Sequence, residues 1–239
     1  GDIAANDTLE GIENLLGGDL ADTLTGSGEA NTLTGGAGAD ILSGRNNNDS
    51  LVGGAGNDIL FGENDADTLR GDAGSDVLSG GSGFDWVVYT GSAAIRLDLS
   101  AGRTTVTGTG EVDSLSGIEH VLATSNADTL IGNGVGNILT GGAGADVIRG
   151  GLGADTLSGG QGIDNLDYST AGAGVAITIG LDGTGIGTAG EASGDSVSGF
   201  ERMLGSGLGD TLGALVQLPF VVLGGGGADS LSGGTGSNT

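Results

Sequence analysis

The chain has 239 residues, of which 31 are acidic and 6 are basic, so its formal net charge at pH 7 is −25. It contains no cysteine, which excludes a disulfide scaffold and a thiolate metal site, and no cluster of basic residues that would bind nucleic acid or insert into an anionic membrane. Its longest nearly apolar run, residues 214–223, is too short to cross a bilayer. A chain this acidic needs its negative charge neutralised before it becomes compact.

The first element in chain order is a segment that occurs three times, at residues 7–14, 113–120 and 195–202. Each copy starts with an aspartate, contains a glycine followed two residues later by a glutamate, and begins fifteen residues before the first aspartate of a repeat block. Alternating segments at 94–99 and 175–179 precede two of the copies, each after a tyrosine. Alternation with a period of two predicts β-strands, and we expect these long units to form wider coils of one solenoid.

Side chains that recur in or beside the long units have mostly structural interpretations. The recurring glutamates are Glu13, Glu119 and Glu201. We expect these glutamates to make structural hydrogen bonds at a corner of the coil, and Trp86 and Tyr89 to pack on the next coil. His120 is expected to be a surface residue, because Asn and Arg occupy the equivalent positions in the other copies. The apolar run at 215–223 predicts either a core plug or a contact with another chain.

The main element is a nonapeptide whose sixth residue is aspartate or asparagine, and it occurs 15 times in three blocks. The sixth residues are Asp22, Asn31, Asp40, Asp49, Asp58, Asp67, Asp76 and Asp85 in the first block, Asp128, Asn137, Asp146, Asp155 and Asp164 in the second, and Asp210 and Asp229 in the third. The first residue is glycine in 14 of the 15 copies, and the eighth is leucine, valine or isoleucine in all 15. The pattern predicts a tight six-residue turn ending in a carboxylate, followed by a short strand with one inward apolar side chain.

The fourth residue of the nonapeptide predicts the backbone conformation of the turn. It is glycine, asparagine or aspartate in 11 copies, and these residue types share a tolerance for left-handed backbone. Leu20, Glu29, Val135 and Leu208 occupy this position in the other four copies, and we expect those turns to be built differently.

Two nonapeptides predict one coil of eighteen residues, because three-residue strands are stable only when successive strands stack into parallel sheets. Asp40, Asp58 and Asp76 then line one edge, and Asp49, Asp67 and Asp85 line the other. Neighbouring strands lie about 4.8 Å apart, so each edge carries a self-repelling row of carboxylates. Calcium relieves this repulsion well, since it takes about six to eight oxygens from carboxylates and backbone carbonyls.

Residues 53–61 read Gly-Gly-Ala-Gly-Asn-Asp-Ile-Leu-Phe, and they match in every position the GGxGxDxUx nonapeptide of RTX calcium-binding proteins. The chain resembles this family over roughly 17–90, 123–170 and 224–239. The resemblance implies an all-β fold, a right-handed parallel β-roll or β-helix solenoid with calcium between turns n and n+2. It also implies type I secretion from a Gram-negative bacterium, with folding on extracellular calcium.

A calcium ion between two turns needs both turns intact. The pairs that meet this condition are Asp40 with Asp58, Asp58 with Asp76, Asp49 with Asp67, Asp67 with Asp85, and Asp146 with Asp164. The candidate ligands are Asp22, Asp40, Asp49, Asp58, Asp67, Asp76, Asp85, Asp128, Asp146, Asp155, Asp164 and Asp229, with Gly36, Gly38, Gly54, Gly56, Gly142 and Gly144. We expect roughly five to ten ions, and poor binding or none at the turns of Asn31 and Asn137.

The chain is expected to be one solenoid in three segments, at 1–90, 91–170 and a degenerate, truncated 171–239, within a larger repetitive protein. We expect it to function as a calcium-binding structural module that serves as a rigid extender, a surface-layer segment or an adhesin segment. We expect it to be secreted or to lie on the cell surface. Neighbouring repeats are its expected partners, with cell-surface or self-assembly contacts. The alternative is a carbohydrate-binding or enzyme-associated module. Catalysis within the chain is not expected, because a single histidine without cysteine, lysine or HExxH provides no catalytic set.

Overall fold

A computed structural model of the chain describes residues 13–91, 93–215 and 219–233. The strands are β1 (Asn14–Leu16), β2 (Thr23–Thr25), β3 (Thr32–Ala37), β4 (Ile41–Arg45), β5 (Ser50–Ala55), β6 (Ile59–Asn64), β7 (Thr68–Ala73), β8 (Val77–Ser82), β9 (Trp86–Val88), β10 (Ile95–Asp98), β11 (Arg103–Val106), β12 (Val112–Ser116), β13 (His120–Leu122), β14 (Thr129–Ile131), β15 (Ile138–Gly144), β16 (Val147–Arg149), β17 (Thr156–Gly162), β18 (Asn165–Asp167), β19 (Ala176–Ile179), β20 (Thr184–Ala189), β21 (Ser196–Ser198), β22 (Arg202–Leu204), β23 (Thr211–Ala214), β24 (Val221–Leu223) and β25 (Ser230–Gly233). One short 3-10 helix, Gly190–Ala192, lies between β20 and β21. In these described ranges, no helix has the length and apolar character needed to span a membrane.

Two units are distinguished by their internal contacts. The first contains Gly1–Ala93 and Ala101–Leu122, and the second contains Ala94–Ser100 and Ala123–Thr239. The division of the chain into three segments stays a prediction.

In the first unit, successive nonapeptides alternate between two parallel sheets. One sheet has the order β1-β3-β5-β7-β9-β13, and the other has the order β2-β4-β6-β8-β12-β11. Equivalent residues face one another at a separation of eighteen, as Leu33 faces Leu51 and Leu51 faces Leu69. The predicted coil of two nonapeptides is therefore confirmed, and so is the all-β parallel solenoid.

The second unit repeats this arrangement and adds an antiparallel strand. One sheet has the order β15-β17-β21-β20-β19-β23-β25, and the other β10-β14-β16-β18-β22-β24. The strand β20 runs antiparallel to both β19 and β21, as β11 runs antiparallel to β12 in the first unit. The alternating segments form strands β10 and β19 as predicted, but the long units add antiparallel strands rather than only widening a parallel coil. In β20 the inward residue Gly187 must lack a side chain, because a Cβ there would overlap the carbonyl oxygen of Ala192.

In the first block, each sheet contributes a column of leucines to the core. Leu33, Leu42, Leu51, Leu60, Leu69 and Leu78 are fully buried, and burying one such side chain stabilises the fold by about 1.5–3 kcal/mol. Each coil of the first block contributes two of these side chains, which is a small core. Much of the remaining stability must come from backbone hydrogen bonds and from the turns.

The apolar run at 215–223 is only partly described, since residues 216–218 lie outside the described ranges. Phe220 is buried, whereas Leu215 and Leu223 are exposed. The buried phenylalanine fits a core plug, and the role of residues 216–218 stays a prediction.

Candidate metal centre

The nonapeptide turns belong to two backbone classes. In one class, which we call open turns, the second and fourth residues both have positive φ. The open turns end at Asp40, Asp49, Asp58, Asp67, Asp76, Asp85, Asp146, Asp155, Asp164 and Asp229. In the other class, which we call capped turns, neither residue has positive φ; these turns end at Asp22, Asn31, Asp128, Asn137 and Asp210.

The fourth residue was a good but incomplete guide to these classes. All four turns with Leu20, Glu29, Val135 or Leu208 are capped, as expected, but the turn containing Asn126 is capped as well. The second residue of the turn helps to distinguish the two classes. It is serine, threonine or asparagine in four capped turns and in none of the open ones.

In a capped turn, the sixth side chain accepts a hydrogen bond from the backbone of the same turn. The backbone N–H of the second residue donates to the sixth side chain, as Thr124 does to Oδ2 of Asp128 at 2.8 Å and Ser206 does to Oδ2 of Asp210 at 2.8 Å. The side-chain oxygen of Asn31 likewise accepts from the N–H of Ser27 at 2.6 Å. Because this oxygen already has a hydrogen-bond donor, a capped turn needs no cation to be stable.

An open turn leaves one carboxylate oxygen without a donor. Oδ1 of Asp58 accepts the backbone N–H of Asp40 at 2.8 Å, and Oδ1 of Asp76 accepts that of Asp58 at 2.9 Å, so the carboxylates form a continuous row. Among the described residues, the buried Oδ2 atoms without a partner are those of Asp40, Asp49, Asp58, Asp67, Asp76, Asp85, Asp146, Asp155 and Asp164. Native proteins rarely leave buried polar atoms unpaired, so these nine oxygens are available to bind a ligand.

The pKa values of the carboxylates in these rows also indicate that the carboxylates need a proton or a cation beside them. Burial raises the pKa of Asp67 to about 7, although the N–H of Asp49 opposes this shift. Burial likewise raises the pKa of Asp76, Asp146 and Asp155 to about 6. A row of buried carboxylates is therefore unfavourable as bare anions, and it requires either protons or cations.

The first glycine of an open turn lets the unpaired oxygen approach the backbone closely. A Cβ on Gly35 would overlap Oδ2 of Asp40 and would lie 2.7 Å from the carbonyl oxygen of Gly53 in the next turn on that edge. A carboxylate oxygen and a backbone carbonyl oxygen thus converge where any other residue would place a side chain. This convergence explains the near-invariant glycine at the first position.

This donor set suits calcium. Calcium takes about six to eight oxygens and accepts backbone carbonyls together with carboxylates. Across the described ranges, no group of three or more histidine, cysteine, aspartate or glutamate side chains converges on a common point. Most ligands to an ion must therefore be backbone carbonyls, which glycine-rich left-handed turns expose well.

The predicted ligands divide between the two classes of turn. Most of the predicted aspartates lie in open turns, whereas Asp22 and Asp128 lie in capped turns, where a backbone N–H already binds Oδ2. Asp229 has the open backbone but is only half-buried. The predicted glycines occupy the left-handed second and fourth positions; they are Gly36, Gly38, Gly54, Gly56, Gly142 and Gly144. Ligation by each of these residues stays a prediction.

The first block ends on side chains of the long unit. Oδ1 of Asp113 accepts the N–H of Asp76 at 3.0 Å, and the hydroxyl of Tyr89 donates to Oδ2 of Asp113 at 2.8 Å. On the other edge, Oε2 of Glu119 accepts the N–H of Asp85 at 3.1 Å. The predicted structural role of the glutamate is confirmed here, and so is the packing of the tyrosine on the next coil.

The second block ends in the same way. Oδ1 of Asp195 accepts the N–H of Asp155 at 3.0 Å, and the hydroxyl of Tyr168 donates to Oδ2 of Asp195 at 2.7 Å. Oε2 of Glu201 accepts the N–H of Asp164 at 2.9 Å. Sequence reasoning missed the tyrosine–aspartate pairs, although the recurrence of both residues in the second and third long units was a signal for them.

His120 is half-buried rather than exposed. Its ring packs edge-on against Trp86, with centroids 4.7 Å apart, and stacks on Phe84 at 5.9 Å. Aromatic packing thus explains the position of this histidine, in a strand paired with the strand of Trp86.

Comparison with known proteins identifies the repeat. A family model described as the RTX calcium-binding nonapeptide repeat matches residues 16–51, 52–87, 131–166 and 221–239, which together are more than half of the chain. A search of characterised proteins finds no significant match.

Proposed function

The chain belongs to the family of RTX calcium-binding nonapeptide repeats, and we propose that it folds on calcium as a rigid structural segment of a larger secreted protein. Calcium binding by the stacked repeats is the coarse function that the family establishes. The observation that carries the finer proposal is the set of nine buried Oδ2 atoms without a hydrogen-bond partner in the open turns.

The residues that would hold the ions are the aspartates of the open turns and the backbone carbonyls beside them. Bound calcium supplies positive charge next to the otherwise unpaired oxygens. Oδ1 of each aspartate stays committed to the backbone N–H of the preceding turn on its edge, as Asp49 and Asp67 illustrate at 2.8 Å. That hydrogen bond orients the carboxylate and directs Oδ2 toward the glycine carbonyls.

Coupling of binding to folding follows from the small core. In the unfolded chain the carboxylates are separated and hydrated, whereas the folded coil brings them into rows. Anything that binds the folded chain and not the unfolded one stabilises the fold by mass action. Low calcium therefore keeps the chain loose, and millimolar extracellular calcium folds it.

This coupling supports a location outside the cell, in a protein exported by a type I system from a Gram-negative bacterium. A stack of identical coils gives a stiff rod whose length scales with the number of repeats. We propose that it serves as an extender, surface-layer or adhesin segment, with neighbouring repeats and cell-surface or self-assembly contacts as partners, and without catalysis of its own. Calcium-dependent binding to a glycan array would instead favour a carbohydrate-binding or enzyme-associated module.

Circular dichroism of the full chain tests the proposal. In excess chelator the spectrum should be that of a largely unordered chain, and a few millimolar calcium should produce a β-spectrum. Magnesium should substitute poorly, because it demands octahedral geometry and retains its waters. A β-spectrum that is unchanged by chelator would refute the coupling of calcium binding to folding.

A further inference from the structure

The two edges of the first block end in chemically different ways, and so do the two edges of the second block. On one edge of the first unit, both carboxylate oxygens of Asp113 have donors, since Oδ1 accepts the N–H of Asp76 and Oδ2 accepts the hydroxyl of Tyr89. Tyr168 closes the edge of Asp195 in the second unit. These edges are closed by neutral hydroxyl groups and need no cation at their last aspartate.

On the opposite edge, the last nonapeptide aspartate of the first block is Asp85, which retains an unpaired oxygen as Asp76 does on the first edge. Asp85 is fully buried, and its Oδ2 has no hydrogen-bond partner. A Cβ on Gly80 would overlap the carbonyl oxygen of Gly117 and would lie 2.6 Å from Oδ2 of Asp85. The carbonyl of Gly117 thus takes the place that the first glycine of the next turn takes within the block.

Glu119 completes this replacement. Its Oε2 accepts the N–H of Asp85, which is the bond that the next aspartate of the row makes elsewhere. A turn of three residues, from Gly117 to Glu119, replaces a turn of six, and the longer glutamate side chain replaces aspartate.

The second unit contains the same junction. Asp164 is fully buried with an unpaired Oδ2, and Glu201 accepts its N–H at 2.9 Å. A Cβ on Gly159 would overlap the carbonyl oxygen of Gly199 and would lie 2.8 Å from Oδ2 of Asp164. Two independent copies of one arrangement argue against coincidence.

We propose that Asp85 with Gly117 and Glu119, and Asp164 with Gly199 and Glu201, form two further calcium sites at the junctions between nonapeptides and long units. The sites lie outside the nonapeptide pattern, because each takes a carbonyl and a carboxylate from a Gly-x-Glu segment. The inference rests on the proposed function.

The test compares Glu119→Gln and Glu201→Gln, singly and together. Glutamine keeps a side-chain oxygen that accepts the backbone N–H, so both variants should reach the wild-type β-spectrum at saturating calcium. Each single variant should bind one calcium fewer per chain, and the double variant two fewer, by calorimetric titration of the full chain. The control is the double variant Glu29→Gln with Glu111→Gln, in which one glutamate is exposed and the other is half-exposed. It removes the same charge as the junction double variant and should keep the wild-type number of calcium ions.

Terbium luminescence adds a local readout at the first junction. Trp86 is the one tryptophan of the chain; it follows Asp85 in sequence, and its ring contacts that of His120, the residue after Glu119. Terbium emission excited through tryptophan should therefore fall in Glu119→Gln and stay at the wild-type level in Glu201→Gln.

Three results would overturn the junction sites: an unchanged calcium number in either single variant, an equal loss of terbium emission in both, or failure of a glutamine variant to fold at saturating calcium. A wild-type chain that binds no calcium would refute the proposed function itself. A wild-type chain that binds calcium and folds, beside variants with an unchanged ion number, would refute the junction sites alone.

Discussion

Replacing Asp58 by asparagine separates the role of the carboxylate charge from the role of the hydrogen bond. The side-chain oxygen of asparagine can still accept the N–H of Asp40, which lies 2.8 Å from Oδ1 in the native chain. Its amide nitrogen would replace the buried, unpaired Oδ2, so an anionic ligand becomes a hydrogen-bond donor. The row of hydrogen bonds stays intact, while calcium binding at the sites that include Asp58 is lost.

The magnitude follows from linkage. An ion present at about 100 times its Kd stabilises the folded chain by about 2.7 kcal/mol. Asp58 belongs to two predicted ion sites, with Asp40 and with Asp76. Loss of one to two ions therefore costs about 3–5 kcal/mol at such a calcium concentration.

The assay is urea unfolding followed by circular dichroism, in saturating calcium and in chelator. Asp65→Asn is the matched control, because Asp65 is an exposed carboxylate in a left-handed position that asparagine occupies at Asn47 in the native chain. The control should change stability by less than about 0.5 kcal/mol.

Without calcium, the effect of Asp58→Asn on the stability of the fold should have the opposite sign. Burial raises the pKa of Asp58, so the native carboxylate destabilises the calcium-free fold. In chelator, Asp58→Asn should therefore be at least as ordered as the wild type. Equal effects of Asp58→Asn and Asp65→Asn in calcium, or a loss of structure in chelator matching that in calcium, would contradict the assignment of Oδ2 as a ligand.

Two further predictions concern the hydrogen bond from Tyr89 to Asp113 and the effect of pH on folding without calcium. Tyr89→Phe leaves Oδ2 of Asp113 without its donor and should lower the free energy of unfolding by about 1.5–3 kcal/mol at saturating calcium. Urea unfolding measures this free energy. An unchanged value would show that the hydroxyl is dispensable. In chelator, lowering the pH should increase β-structure, because burial raises the pKa of Asp67 to about 7 and that of Asp76 to about 6. A folded state that holds protons more tightly gains stability as the pH falls, so this contribution is complete below about pH 4 and is lost as the pH rises through about 6 to 7. Circular dichroism between pH 7.5 and 5, with light scattering to detect aggregation, checks the pH effect; a fall in β-content on acidification would contradict it.

The periodic part of this molecule was predictable from the sequence. A strict spacing of nine determines which residues meet at a separation of eighteen, so the leucine column and the carboxylate rows follow from counting. Glycine, asparagine and aspartate at the fourth position also predicted the left-handed backbone, as at Asn47 and Asp65.

The unpredicted features depend on contacts between residues far apart in the chain. The hydroxyl of Tyr89 reaches Asp113, and the N–H of Asp155 reaches Asp195, forty residues later. No local period specifies such partners. The positive φ of Arg45 and Glu63 was also unexpected, because these residue types seldom adopt it, and their backbone is imposed by the stacked neighbouring turns.

The alternation of nonapeptides between two sheets determines the side of the coil on which an insertion lies. Within the second unit, β10 and β19 belong to opposite sheets, and five nonapeptides lie between the long units that carry them. An odd number of repeats moves the next insertion to the other side, and an even number returns it to the same side. Gain or loss of a single nonapeptide would move the following insertion to the other sheet, whereas gain or loss of a pair would only add or remove one coil.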